Sequence, residues 1–417
     1  MFDRDTWQEI LATIRKHKLR TALTALGVFW GIFMLIFMLG MGEGLRNAVF
    51  RDFGSRAKNV MYVWSSPTSK PYRGFQPGRV PRLNLDDITY LDENVDGIDY
   101  IAPRTTISGS ISYNENVESY NIRGELSDMI TVEGYKVYKG RYIQPSDIEE
   151  SRKVIVIGKR VAEVLFGKGE WDKAIGKYIT ANGVEFQVVG IFGPEFLKPW
   201  TQEDLEATVI PLTTMHRAFG TGGQIHYFAV SALPQYKVSD IENDVKSILQ
   251  QRHSVSPQDP RGIGGFNLEK EFDKITGLFN SISVFLWIVG IGTLIAGVIG
   301  VSNIMMIVVK ERTKEIGIRK ALGATPGVII RSILTESIVI TLISGYLGLL
   351  AGTLLIGSID YIMEYNEINV QMFYNPEVSL QVGIGALLIL IISGTIAGFI
   401  PGMMAAKVNP VLALKDE

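Results

Sequence analysis

Four stretches of this chain run without a charged side chain for about 20 residues or more, the length of helix that crosses the hydrocarbon core of a bilayer. The first is Thr21 to Met41 (TALTALGVFWGIFMLIFMLGM), and the second lies in the uncharged run from Ile275 to Val309, densest from Val284. Ser337 to Ser358 and about Val382 to Ala406 are the third and fourth. In lipid every backbone polar group must find its partner within the segment, so each stretch is expected as a helix. These segments hold the excess behind a hydrophobic share of 47% in a chain that also has 20% charged residues.

Arg15, Lys16, Lys18 and Arg20 before the first stretch imitate the basic start of a secretory signal. The apolar run is longer than the about 7 to 15 residues of such signals, and Gly42-Glu43-Gly44-Leu45-Arg46 offers no small-x-small cleavage site, so a retained anchor is expected. Residues 1–20 carry five Lys or Arg and the connection from Lys310 to Glu336 carries six, whereas Ile359 to Gln381 has none. By the positive-inside rule both termini and the 310–336 connection are cytoplasmic, and everything from about Glu43 to Asp273 is outside.

The expected organisation follows: an amphipathic cytoplasmic leader over 1–20 and spans over 21–42, 282–309, 337–358 and 382–406. Between them come an outside domain with helical stalks over 43–281, a cytoplasmic elbow over 310–336 and a short outside loop over 359–381, with a cytoplasmic tail over 407–417. Phe2, Trp7, Ile10, Leu11 and Ile14 give the leader one apolar side, suited either to the membrane surface or to a soluble partner.

Within the outside domain the pattern changes repeatedly between periods. Strands are expected over Asn59 to Trp64, two or three between Ile98 and Ile122, and one at Val154 to Ile157 followed by Gly158 and a helix, Val161 to Phe166. Tyr178 to Phe192 reads as a hairpin turning at Asn182-Gly183. Further elements are helices over Leu83 to Asp92, Thr213 to Phe219 and Val238 to Gln251, a strand over His226 to Val230, and a mobile Ser-, Pro- and Gly-rich loop from Ser65 to Arg82. The fold class is an integral membrane protein with four transmembrane α-helices and a large mixed α/β extracytoplasmic domain. Leu268 to Asn280 runs at helical spacing into the second span, as does Gly44 to Phe53 out of the first, either as rods that transmit movement or as passive tethers.

Several chemistries lack their residues. The Gly-Lys pairs at 158/159, 167/168 and 176/177 do not complete a phosphate-binding loop, so Gly158 reads as a structural turn and the chain is not expected to hydrolyse ATP alone. The four histidines show no zinc spacing, no G-x-S-x-G elbow occurs, and the absence of cysteine removes thiolate chemistry, so no metal or catalytic group is expected. Asp86/Asp87 and Glu149/Glu150 read as solvated surface. With 41 basic against 43 acidic residues, no overall field favours nucleic acid.

The elbow is patterned beyond what anchoring requires. Glu311 with Lys314 and Glu315 with Arg319 stand at i,i+3 and i,i+4 on a short helix, Gly323 is its stop, and Thr325-Pro326 is an N-cap and first-turn proline for the next helix. Mixed charge suits a protein partner better than anionic lipid.

The string ERTKEIGIRKALGAT, Glu311 to Thr325, resembles the coupling-helix motif of permeases in the MacB/FtsX/LolC-type ABC transporter family. The order of one span, a large outside domain and three spans is similar too. So are Gly134 to Phe166 (with Gly140-Arg141 and Leu165-Phe166), Ile175-Gly176-Lys177, Val188-Val189-Gly190 and the carboxyl end from Pro401 through Ala405-Ala406 and Asn409-Pro410 to Ala413-Leu414. The resemblance is to the MacB-like, macrolide-exporter type without its fused ATPase domain. It implies a non-catalytic permease of the bacterial inner membrane that pairs with a second identical or related permease and docks a separate ABC ATPase, which alone carries ATP and Mg. It also implies a periplasmic adaptor and an outer-membrane channel as partners. The relatives leave two alternatives, an FtsX-like scaffold for a cell-wall hydrolase and a lipoprotein-release permease. Carried over by residue, the ATPase-coupling set is Glu311, Arg312, Thr313, Lys314, Glu315, Ile316, Gly317, Arg319, Lys320, Ala321, Gly323 and Ala324.

Gly27/Gly31, Gly348/Gly352 and Gly394/Gly398/Gly402 stand four apart in the spans, faces that permit close helix packing within one subunit or across a dimer.

Overall fold

A computed structural model of the chain describes residues 18–54, 57–195, 201–366 and 373–410. In chain order it begins with α1 (Lys18–Gly54), β1 (Val60–Ser65), β2 (Leu83–Asn84), α2 (Leu85–Asn94), β3 (Ile98–Tyr113), β4 (Asn116–Glu125), α3 (Met129–Glu133) and β5 (Tyr135–Gly140). Then come α4 (Pro145–Glu149), β6 (Val154–Gly158), α5 (Lys159–Phe166), β7 (Tyr178–Ala181), β8 (Val184–Pro194), α6 (Gln202–Leu205), β9 (Ala207–Pro211) and α7 (Leu212–Phe219). The rest is β10 (Gln224–Ile225), β11 (Tyr227–Ala232), α8 (Val238–Arg252), β12 (Ile263–Asn267), α9 (Leu268–Glu311), α10 (Thr313–Ala321), α11 (Pro326–Tyr365) and α12 (Leu380–Ala406). The chain divides into two compact units, Met1–Val49 with Gly277–Glu417, and Phe50–Thr276.

In the first unit, four helices among the described residues are long and apolar enough to cross a membrane. Their inner faces meet in one core of Ile32, Leu35, Ile36, Leu294, Val301, Ile333 and Leu390, while Ile288, Phe285 and Leu354 point away from it, as residues facing hydrocarbon do. The helices approach through glycine. A Cβ on Gly348 would lie 2.4 Å from the carbonyl oxygen of Phe29 on α1, and one on Gly297 would lie 2.9 Å from that of Gly27. Gly394, Gly398 and Gly402 of α12 face Ile338, Leu334 and Ile330 of α11 in the same way, and the Ser337 hydroxyl donates to the Gly394 carbonyl at 3.1 Å. The glycine faces are therefore filled within the subunit. At 1.5 Å per residue the 44 residues of α9 reach about 66 Å, twice the roughly 30 Å of hydrocarbon.

The second unit is built on one mixed sheet, ordered β12-β1-β11-β3-β4-β9-β6-β8-β5, with β7 bridging β3 and β8. β4–β9 and β6–β8 are parallel pairs within otherwise antiparallel neighbours, the arrangement expected of an α/β domain. α2 and α8 cover one part around Leu91, Phe228, Val245 and Leu249, and α5 and α7 cover another around Ile155, Leu165, Phe186 and Met215. The stretch from 98 to 125 is two strands, turning at Asn114 with φ +53. The Asn182-Gly183 hairpin forms with both residues at positive φ (45 and 81), the backbone that a two-residue turn between right-twisted strands demands. Gly158 is structural but not a turn: it ends β6 in extended backbone, where a Cβ would strike the Leu205 carbonyl oxygen at 2.2 Å, and α5 begins at the next residue.

A polar cluster sits inside this sheet. Arg104 of β3 faces Glu125 across the β3–β4 ladder, its Nε 2.6 Å from the carboxylate, and donates to the Tyr135 hydroxyl at 3.0 Å. Arg123 reaches the same hydroxyl at 3.0 Å and Asp204 at 2.7 Å. Burial is the largest influence on Arg104 and opposes its charge, but Glu125, Tyr135, Tyr227 and Glu133 together outweigh it, so the guanidinium stays protonated.

Two other expectations change. Asp87 is buried, not solvated: it is the third residue of α2, where its carboxylate accepts from the Asn84 backbone while the Asn84 side chain accepts from its own, and Arg252 (2.9 Å) and His253 (2.8 Å) close over it. The segment from 66 to 82, expected as mobile, is tied down by Asp259, which accepts from the Ser69 hydroxyl and amide (2.7 Å each) and from the amides of Lys70 and Arg261. The leader over 2–17 and the end from 411, including Ala413-Leu414, lie outside the described residues.

Leucine at Gly348 is expected to lower the unfolding temperature of the detergent-solubilised chain by an amount equivalent to about 1–3 kcal/mol, whereas leucine at Gly292, where nothing lies within 4 Å, is expected to leave it within error. Burial works against the Asp259 carboxylate, but its hydrogen bonds hold it well below the usual range. Its contribution is then complete above the ordinary carboxylate value of about 3.9 and is lost as pH falls through its own lower one. Asp259→Asn imposes that loss at neutral pH, so amide exchange at Ser69 and Lys70 is expected to rise in the variant and to stay slow in the parent chain.

Candidate functional site

The elbow lies wholly in the helical unit. α9 ends at Glu311, and Arg312 (φ -95, ψ 10) turns the chain into α10. The Thr313 hydroxyl donates to the carbonyls of Val309 (3.2 Å) and Lys310 (2.8 Å), taking up groups that the end of α9 leaves without an intrahelical partner. At the far end Gly323 is left-handed at φ +100, the Ala324 amide donates to Arg319 and the Gly323 amide to Lys320. This is a Schellman closure, so the glycine acts as the stop expected of it. Pro326 opens α11 as expected; Thr325 occupies the N-cap position, but its side chain makes no capping bond. The helix is therefore short, joined to α9 through Arg312 and closed at its far end by Gly323.

Its residues divide by face. Ile316 is 6% exposed and belongs to the bundle's apolar core with Ile329, Ile333 and Ala405, against which Ala324 is packed, and Gly317 is buried. Arg312 turns inward to Glu336 of α11 at 3.2 Å, and Glu336 is 5% exposed. Lys320 donates to the carbonyls of Ala406 and Val408 at the end of α12, both at 2.7 Å. Glu311, Lys314, Glu315, Arg319, Ala321 and Gly323 are on the exposed side, with Glu315 3.9 Å from Arg312. Eleven of the twelve residues thus form two sets, one outward and one turned into the bundle, and Thr313 serves the end of α9.

Sequence reasoning left out the exposed apolar groups of α10 and its C-cap. Leu322 is 84% exposed and Ile318 44%, one turn apart on the outward face. Their i,i+4 spacing among charges was a readable signal of an apolar contact stripe. Glu336 was also left out, because only the packing of α11 reveals that Arg312 faces it.

Comparison with known proteins assigns both parts of the chain. Residues 21–248 match the MacB-like periplasmic core domain and residues 287–410 the FtsX-like permease C-terminal domain. The chain is 30% identical over 406 residues to the pyoverdine export ATP-binding/permease protein PvdT of Pseudomonas putida, covering 96% of this chain and 58% of that protein. It is 27% identical over 416 residues to the macrolide export ATP-binding/permease protein MacB of Wolinella succinogenes, covering 97% of this chain and 60% of that one. The chain thus spans about three-fifths of the length of the curated relatives it matches. The solved periplasmic region of MacB from Actinobacillus actinomycetemcomitans is similar at 17% identity and a TM-score of 0.43, covering 55% of this chain and 97% of that structure.

The Arg312–Glu336 pair is expected to show coupling in a double-mutant cycle. Arg312→Gln and Glu336→Gln each lower stability, and the double variant loses less than their sum by about 0.5–3 kcal/mol, read from unfolding of the solubilised chain.

Proposed function

Because the chain belongs to the MacB/FtsX-like family of ABC transporter permeases, we propose that it is the membrane subunit of an exporter and that its elbow docks an ABC ATPase. The observation that carries this is the outward face of α10, where Ile318 and Leu322 stand among Glu311, Lys314, Glu315 and Arg319 on a short helix joined to α9 at one end and closed by Gly323 at the other. A large exposed leucine on a helix held rigid loses little entropy on docking, and the surrounding charges supply orientation. Rigid closure also means that force applied to the helix moves what it is packed against.

In this reading nucleotide binding and hydrolysis on the ATPase move the elbow, and α9 and α1 carry that movement to the α/β domain. The charge pattern supports a cytoplasmic elbow and termini, since the basic residues gather at 1–20 and 310–336 while the 359–381 connection holds only acids. The relatives' names speak of export of pyoverdine and of macrolides, which favours a secreted small molecule as cargo here. A second permease, a periplasmic adaptor and an outer-membrane channel complete the proposed assembly.

Leu322→Asp is expected to reduce recovery of ABC ATPase chains of the same genome on the immobilised full-length permease by about tenfold, with Ile318→Asp additive to it. Undiminished recovery with both substitutions would overturn the docking role.

A further inference from the structure

We infer that Lys320 and Arg312 are positioning residues that tie the elbow to the last two membrane helices, so that load on its outward face reaches α12 and α11. The inference rests on the docking role proposed above but concerns the inward face of the same helix.

α12 ends without a glycine. Its C-cap, Lys407, is right-handed at φ -83 and ψ -8, as Leu322 is at the end of α10, but Val408 after it does not take the positive φ of Gly323, so the left-handed closure that ends α10 is missing there. The carbonyls at such an end carry partial negative charge and need donors from elsewhere. Lys320 supplies them from 86 and 88 residues away, its ammonium 2.7 Å from the oxygens of both Ala406 and Val408. Ala405, one residue before Ala406, is fully buried and belongs with Ile316 to the apolar core of the bundle.

Arg312 makes the second tie. It stands at the joint between α9 and α10 and reaches Glu336 on α11, a carboxylate almost wholly removed from solvent. A buried carboxylate held to a guanidinium resists separation far more than an exposed pair. Rotation of α10 about that joint would therefore draw on α11 through Arg312 and on the end of α12 through Lys320. Both cations belong to the string that marks the family, yet neither charge is turned toward the surface where a partner would sit.

The test uses the full-length permease in nanodiscs with the ABC ATPase it recruits, comparing Lys320→Met, Lys320→Arg and Leu322→Asp. Methionine keeps the stem and removes the donors. Lys320→Met is expected to bind the ATPase within about twofold of the parent while permease-dependent ATP turnover falls about fivefold or more, and Lys320→Arg is expected to recover most of it. Amide exchange over 403–408, read without any ATPase, is expected to rise in Lys320→Met and to return in Lys320→Arg. If Lys320→Met weakens ATPase binding as much as Leu322→Asp does, Lys320 is a docking residue and the inference fails. It fails equally if exchange and turnover are unchanged. If no variant, Leu322→Asp included, alters ATPase binding, the docking role fails instead, and exchange over 403–408 alone decides for or against the tie. Where Lys320→Met does not fold, Lys320→Gln, which keeps one donor, is expected to give an intermediate rise in exchange, and parent-like exchange overturns the tie.

Discussion

Helix ends govern the part of this molecule where function is proposed. α9, α10 and α12 all finish within a small region, and each leaves carbonyls that its own turns cannot satisfy. The chain answers three times in different ways: a threonine hydroxyl over the end of α9, a left-handed glycine at the end of α10, and a lysine from another element at the end of α12. The first two are local and make the elbow rigid. The third is long-range and joins it to the bundle. Without these closures the outward stripe of Ile318 and Leu322 would have no fixed direction.

The bundle that receives the elbow is held by backbone proximity rather than by large interlocking side chains. Hydrocarbon tails are as apolar as leucine, so helices in lipid gain little from apolar burial alone and gain by approaching closely. Gly27 against Gly297, Gly348 against Phe29 and Gly398 against Leu334 permit that approach. In the α/β domain the corresponding device is the opposite one, a polar cluster of Arg104, Arg123, Glu125, Tyr135 and Asp204 whose members satisfy one another across several strands. Arginine is tolerable inside a domain when carboxylates and hydroxyls stand against its charge in this way.

Much was legible in the residues because it depends on local rules. Apolar runs of spanning length, the Asn182-Gly183 turn, Gly323 as a stop and Pro326 as a start each follow from neighbours within a few positions. Asp87 shows where this ends. Beside Asp86 it looks like solvated acid, and only its place in the first turn of α2, under Arg252 and His253 from 165 residues away, makes it a buried anchor. The 66–82 segment likewise has loop composition, and only Asp259, distant in sequence, holds it.

By itself the sequence determined that this chain has four helices able to span a membrane, a mixed α/β domain between the first and second, and a patterned elbow between the second and third. Those are properties of length, period and turn chemistry. Only the tertiary structure decided that the glycine faces are filled within one subunit, that Ile318 and Leu322 are outward apolar groups at α10, and that Arg312 and Lys320 turn inward. The reason is physical: a charge is drawn to whichever opposite charge or unsatisfied carbonyl the packing brings near it. For Arg312 and Lys320 those partners lie 24 and 86 residues away, beyond the reach of any local pattern.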